Sequence, residues 1–288
     1  MSSSDSKNDP AKPEGKDPRD LINRGIKEPS PLGTTVFVGL RSLDPVIQYG
    51  ILARGWGSSL LHRIGLSTLS AGLPTNTGTI IDKLNLSPYR LILLAMATGS
   101  SLKQIYWLVG ISEYRFDVGP ALMVVGYNTV FNSLNNLLFT TTAFSASLSG
   151  NETFPQTPLI VGSIMFVVGI LTEAIAEYQR MRFKMDPKNK GKPYTGGLWQ
   201  YARHINYTGY SLWRAGYSLA AGGWIWGAAA FAWQYTDFVM RAVPVLNDYC
   251  EKRVSFCQTG SGIQRTVLLT CCSTVKIGRS LSNRHHTS

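Results

Sequence analysis

The chain has 288 residues and a formal net charge of +11, from 28 Lys and Arg against 17 Asp and Glu. That length fits one or two soluble domains, but the charges are not spread as a soluble surface requires. Residues 118–151, 153–172 and 215–236 contain no Asp, Glu, Lys or Arg, and each window reaches the ~20 residues that a bilayer-spanning helix needs. The composition therefore excludes an ordinary soluble domain. It predicts an all-α, multi-span membrane protein with about five to seven transmembrane helices.

The positive balance does not point to nucleic acid. Much of it sits in short segments beside the apolar windows, where Lys and Arg set topology, and no nucleic-acid-binding motif accompanies it. Metal binding is not expected either. Cys250, Cys257, Cys271 and Cys272 form no CxxC pair, and the His residues are isolated or lie in the tail. Residues 1–30 are rich in Ser, Lys, Asp and Pro, with no apolar core of a signal peptide. Such a segment buries too little surface to fold, so disorder is expected there.

In chain order, residues 31–53 are apolar but interrupted by Arg41, Asp44 and Pro45, and read as a weak or broken span. Residues 64–81 carry no Asp, Glu, Lys or Arg but contain the turn signal "LPTNTG". They suit a short interfacial helix or a second weak span. Residues 88–111 read as a span carrying Lys103, either a functional intramembrane cation or one that pairs with a carboxylate or reaches the interface. Further spans are expected over 118–145 and 157–183. The stretch 209–243 is long enough for a span plus a shorter hairpin partner, turning at "AAGGW", residues 220–224.

Lys184, Lys188, Lys190 and Lys192 stand against Asp186 in the loop after 183. The positive-inside rule predicts that this loop is cytosolic. The sequons at Asn85 and Asn151 then fall on the lumenal side and that at Asn206 on the cytosolic side.

The polar residues gather around that loop. In "ILTEAIAEYQRMRFK" the residues Glu173, Glu177, Arg180 and Lys184 share one helical face, an acid-acid-base-base stripe. Local ion pairs at a helix end would account for such a stripe. After the loop come Tyr194 and "GGLWQYARHINYTGY", dense in hydrogen-bonding groups that are costly near hydrocarbon without partners.

This order resembles the steroid 5-alpha-reductase family. The matching positions are Glu173, Glu177, Gln179, Lys184, Gly197-Leu198-Trp199, Arg203-His204, Asn206-Tyr207 and Gly209, with a closing segment that includes Arg241, Asp248, Tyr249 and Cys250. The resemblance covers about residues 118–253. It divides the chain into a polar N-terminus (1–30), divergent membrane helices (31–117), a reductase-like membrane domain (118–253) and an atypical basic Ser/Thr-rich tail (254–288). Two positions depart from the family pattern. Ile205 stands where Pro is usual, and Tyr210 stands where an acid is usual.

The resemblance implies a membrane-bound, NADPH-dependent reductase of a C=C bond in a lipid or steroid-like substrate, with an endoplasmic-reticulum location and a cofactor site facing the cytosol. It implies that Glu173, Glu177, Lys184, Tyr194, Arg203, Asn206, Arg241 and Tyr249 bind the cofactor. Among these, Lys184, Arg203 and Arg241 would pair with phosphates. Tyr127, Asn128 and Asn132 are candidates to line the substrate cavity, and equally suit interhelical hydrogen bonding.

Two other readings stay open. Membrane methyltransferases of the isoprenylcysteine or phospholipid type also carry an "RHPxY" turn and bind S-adenosylmethionine. They usually show an Arg followed by paired Glu after the last hairpin, whereas Arg241 is followed here by "AVPVLNDY". That difference and the glutamate stripe weigh towards the reductase. A catalytically degenerate protein of the same fold is the third reading, supported by Tyr210 and by the tail. The tail from Val254 reads as translated intron, since Val254-Ser255 is encodable by GTGAGT.

Overall fold

The computed structural model describes residues 28–148, 153–189, 192–202 and 204–246. Six α-helices carry the fold: α1 (Pro31–Arg54), α2 (Ser58–Arg63), α3 (Pro88–Tyr106), α4 (Val118–Thr140), α5 (Thr157–Met185) and α6 (Ile205–Asp237). Among the described residues, three helical segments are long and apolar enough to cross a membrane: Pro31–Arg54, Pro88–Ile111 and Thr157–Met185. The second of these, Pro88–Ile111, continues α3 through a π-helical turn, Trp107–Ile111. Expectations for the N-terminal 27 residues and for the tail fall outside the described residues.

α1 is not broken. It runs through Pro45 as one helix, although Pro45 offers no N–H to the carbonyl of Arg41. Arg41, Asp44 and Gln48 recur at helical spacing and are all buried, so the polar interruptions of the sequence form one inward stripe. α1 packs against α3 and α4. The segment 64–81 is neither a span nor an interfacial helix, because its residues 66–78 form no helix. Thr68 bridges Thr141, and Leu69 N–H donates to the Thr140 carbonyl at 2.7 Å. The end of α4 thus supplies the backbone partners that this segment cannot supply itself. Its turn closes on Asp82, which accepts from the N–H of Thr77 at 2.9 Å, the Thr77 hydroxyl at 2.8 Å and the N–H of Gly78 at 2.8 Å. These donors, led by the Thr77 N–H, hold the carboxyl below its usual range.

α6 doubles back. Gly223 has φ 75° and ψ −170°, outside the helical region and open to glycine at little steric cost. The rings of Tyr207 and Phe238 stack with centroids 4.5 Å apart. An unbroken helix would separate them by about 46 Å. The reversal falls within the "AAGGW" stretch expected to form a turn.

Small residues bring α5 against the first arm of α6. A Cβ on Gly162 would lie 2.6 Å from the carbonyl oxygen of Gly216, and one on Gly216 would lie 2.6 Å from that of Gly162. A Cβ on Gly209 would lie 2.7 Å from the backbone nitrogen of Glu173 and 2.9 Å from the Gly169 oxygen. Gly162 and Gly169 on α5 face Gly216 and Gly209 on α6, each pair seven residues apart. The two backbones touch along that seam, as small residues permit between membrane helices. Beside it lies an apolar core that includes Leu93, Phe139, Phe166, Trp213 and Tyr217.

Gly209→Val should force the two helices apart and lower stability by about 1–3 kcal/mol or more. Gly126→Val is the control, because a Cβ there meets nothing within 4 Å. Thermal unfolding of the purified proteins should separate the variants. Equal midpoints would show that α5 and α6 do not pack as described.

Candidate functional site

The glycine seam aims the glutamates of α5 at α6. Asn206 Nδ2 donates to Glu177 Oε1 at 2.7 Å, and Arg180 pairs with Glu177 Oε2. One turn deeper, the Trp213 indole N–H donates to Glu173 Oε2 at 2.8 Å. Lys103, reaching across from α3, pairs with Glu173 Oε1. Lys103 therefore has a carboxylate partner, one of the roles its sequence position left open. The acid-acid-base-base stripe is not held by local pairs alone. Glu177–Arg180 is local, whereas Glu173 is held by tertiary partners.

The chain after the Lys-rich loop folds back along the last turns of α5. Gly197 has φ 55°, and the Leu198 N–H donates to Gln179 Oε1 at 3.0 Å. The Trp199 indole N–H donates to the Ala176 carbonyl at 2.8 Å, and Arg180 lies over the Trp199 ring. Tyr194 packs its ring on Phe183 at 4.9 Å. Gln179, Gly197 and Trp199 are thus the clasp that delivers the chain to the start of α6. There an aromatic stack forms, with His204 on Tyr207 at 5.3 Å and Tyr207 on Phe238 at 4.5 Å. Arg241 is held by Asp237 through two contacts of 2.7 and 2.6 Å.

Of the residues singled out in the sequence, Glu173, Glu177 and Asn206 meet at the α5–α6 seam. Tyr194 packs near the end of α5, and Lys184 is exposed there. Arg241 is engaged by Asp237. Arg203 and Tyr249 fall outside the described residues. Tyr127, Asn128 and Asn132 belong to a deeper polar layer in which interhelical hydrogen bonding is evident. Asn128 accepts from Gln104 Nε2 at 2.7 Å and from Arg214. Asn132 donates to Asp44 at 2.7 Å and accepts from Arg214 at 3.1 Å. Gln234 reaches the Tyr127 hydroxyl from the second arm of α6.

The centre of that layer, Arg214, is absent from the sequence-derived candidates. It is 1% exposed, and its guanidinium lies among the rings of Tyr127, Phe131, Tyr210 and Trp213. Its Nε also donates to the Tyr210 hydroxyl at 3.3 Å. The signal was available, because Arg214 is the one Asp, Glu, Lys or Arg between residues 204 and 236, and a lone intramembrane charge marks an interior position. A separate cavity of about 350 Å³ lies on another face of α5, lined by residues including Gly110, Tyr178, Met181 and Met185. None of the clustered polar residues lines it.

Fold and site together define a helical membrane protein whose polar residues converge at one end of the α5–α6 hairpin and in a layer beneath it. A family of proteins of unknown function, DUF1295, matches residues 121–255, and that family is related to steroid 5-alpha-reductase-like proteins. The chain is also 43% identical, over 241 residues, to the probable O-methyltransferase ustE of Ustilaginoidea virens, covering 83% of this chain and 85% of that protein. The chain belongs to the same family as this fungal protein. No solved structure matches it.

Lys103 and Glu173 are largely enclosed, with side chains 10% and 13% exposed. Glu173→Gln should leave Lys103 without its counter-charge, at a cost of about 3–5 kcal/mol. The double variant Lys103→Met/Glu173→Gln should recover most of that loss. A double-mutant cycle in thermal unfolding with strictly additive effects would show that the two residues do not pair.

Proposed function

We propose that this protein is an S-adenosylmethionine-dependent O-methyltransferase acting on an apolar, membrane-soluble acceptor. The observation that carries this reading is the 43% identity, over most of both chains, to a protein named a probable O-methyltransferase. That relationship turns the balance away from the reductase reading, towards which the sequence motifs leaned.

The chemistry of the site supports the same choice. NADPH is a polyanion and needs cations available for its phosphates. Here Lys103, Arg180 and Arg241 each rest on a carboxylate. These three cations are therefore each balanced by an acid, which suits a ligand that carries both signs. S-adenosylmethionine is such a ligand, with an amino-acid zwitterion, a sulfonium and an adenine. The stacked rings of His204, Tyr207 and Phe238 offer flat π faces to an adenine or a cation. The Glu177–Arg180 and Asp237–Arg241 pairs offer an acid for the ammonium and a base for the carboxylate.

When bound, S-adenosylmethionine would supply an electrophilic methyl group to an acceptor oxygen. The protein's part is to hold the acceptor oxygen in line and to exclude water, which an enclosed helical site favours.

The test is binding to purified full-length protein in detergent or nanodiscs, with S-adenosylmethionine and NADPH compared by calorimetry. S-adenosylmethionine should bind and NADPH should not. Asn206→Ala frees Glu177 from its 2.7 Å donor, and should weaken S-adenosylmethionine binding about tenfold, as loss of a hydrogen bond to a charged group does. Binding of NADPH alone would overturn the proposal in favour of the reductase. Binding of neither would favour a protein that keeps the fold without turnover.

A further inference from the structure

The layer beneath the α6 start has an unbalanced charge. Arg41 and Arg214 are 0% and 1% exposed, and both are permanently protonated. Asp44, 0% exposed, is the one carboxylate in contact with either of them among the described residues. Lys103 and Glu173 cancel each other and contribute no counter-charge.

The hydrogen bonds sharpen the imbalance. Asp44 already accepts from Gln48 at 3.0 Å, Ser101 at 3.3 Å and Asn132 at 2.7 Å. Arg41 Nη1 lies 3.3 Å from Asp44, and Nη2 reaches Ser100 Oγ at 3.4 Å. Its Nε and Nη1 have no hydrogen-bond partner among the described residues. Arg214, by contrast, is satisfied by the carbonyl oxygens of Asn128 and Asn132, which are neutral. Among the described residues this layer thus encloses two cations against one anion, with an orphaned guanidinium edge on Arg41. Enclosing an uncompensated charge is expensive, and an arrangement with unused donors is one that an anion completes.

We infer that Arg41 and Arg214 form an anion seat in the bundle interior, and that the acceptor is an apolar molecule bearing an acidic oxygen, a carboxylate or an acidic phenol. The inference rests on the methyltransferase reading for its acceptor, and on the charge count for its seat. Arg214 lies two turns from Asn206, about 12 Å along α6, so the seat sits on the membrane side of the cofactor candidate residues. An anion that reaches this depth has to be carried by an apolar body, which agrees with helices that face lipid. An acidic acceptor also keeps the transfer balanced. The anionic oxygen takes the methyl group, the sulfonium loses its charge as a thioether, and no proton has to be removed.

Full-length protein in nanodiscs, in chloride-free buffer, is titrated with benzoate, 4-nitrophenolate, benzamide and chloride, with thermal unfolding and calorimetry as readouts. Benzoate or 4-nitrophenolate should raise the unfolding midpoint, and the better of the two names the class of acid. Benzamide should have no effect. Arg41→Gln should weaken binding of the effective anion about tenfold or more. Asp44→Asn, which removes the competing negative charge, should tighten it, and this variant keeps the test decisive if Arg41→Gln does not fold. No response to either organic anion, an equal response to benzamide, or a response to chloride as large as that to the organic anions would overturn the inference. S-adenosylmethionine binding is measured on the same samples. Cofactor binding without an anion response sinks the seat alone, and an anion response without cofactor binding sinks the methyltransferase reading alone.

Discussion

Backbone contact between α5 and the first arm of α6 is the constraint on which the rest depends. Gly162 and Gly169 face Gly216 and Gly209 with no room for a Cβ on either side. In a bilayer, helices gain little from burying apolar side chains against each other, because lipid is equally apolar. Close approach and interhelical hydrogen bonds do the joining instead. The seam provides both. Its closeness puts Glu177 within 2.7 Å of Asn206 and Glu173 within 2.8 Å of the Trp213 indole. A wider spacing would take one hydrogen-bond donor from each carboxylate, leaving Glu173 to Lys103 and Glu177 to Arg180.

The second organising feature is a polar layer shared by α1, α3, α4 and α6. Arg41, Asp44, Ser100, Asn128, Asn132 and Arg214 are all buried, and each bonds to at least one partner on another helix. Such networks are costly unless satisfied, and they fix which helix faces which. Here satisfaction is incomplete at Arg41. Arg41 is the cation beside the buried Asp44 carboxylate, at 3.3 Å, so it both balances that charge and keeps an Nε without a hydrogen-bond partner among the described residues.

The two layers divide the labour in the proposed reaction. The α6 start joins charge pairs to an aromatic stack, which suits a ligand with both charges and a flat base. The deeper arginines suit an acid. Between them lie Tyr210 and Trp213, whose rings meet at 5.1 Å and both contact the Arg214 guanidinium. Tyr210 is one of the two positions that depart from the reductase pattern. In place of a carboxylate it presents a ring and a hydroxyl to a cation, so the departure belongs with the arginine beside it.

Much of this was legible in the sequence. Charge-free windows follow directly from the cost of ions in hydrocarbon, so an all-helical membrane protein could be read without coordinates. Helical periodicity put Glu173 and Glu177 on one face, and the paired glycines at 222 and 223 marked the reversal of α6. Tertiary structure decided the rest, because partnership across helices has no period. The sequence shows Arg41 and Asp44 as defects in a span. Only packing against α3 and α4 reveals them as an inward stripe that a continuous helix tolerates. Lys103 acquires its meaning from Glu173, seventy residues away in the chain, and Arg214 from Asn128 and Asn132. Whether a buried charge is paired depends on which helix stands opposite, and that is set by where backbones can approach, which local sequence constrains only at its glycines.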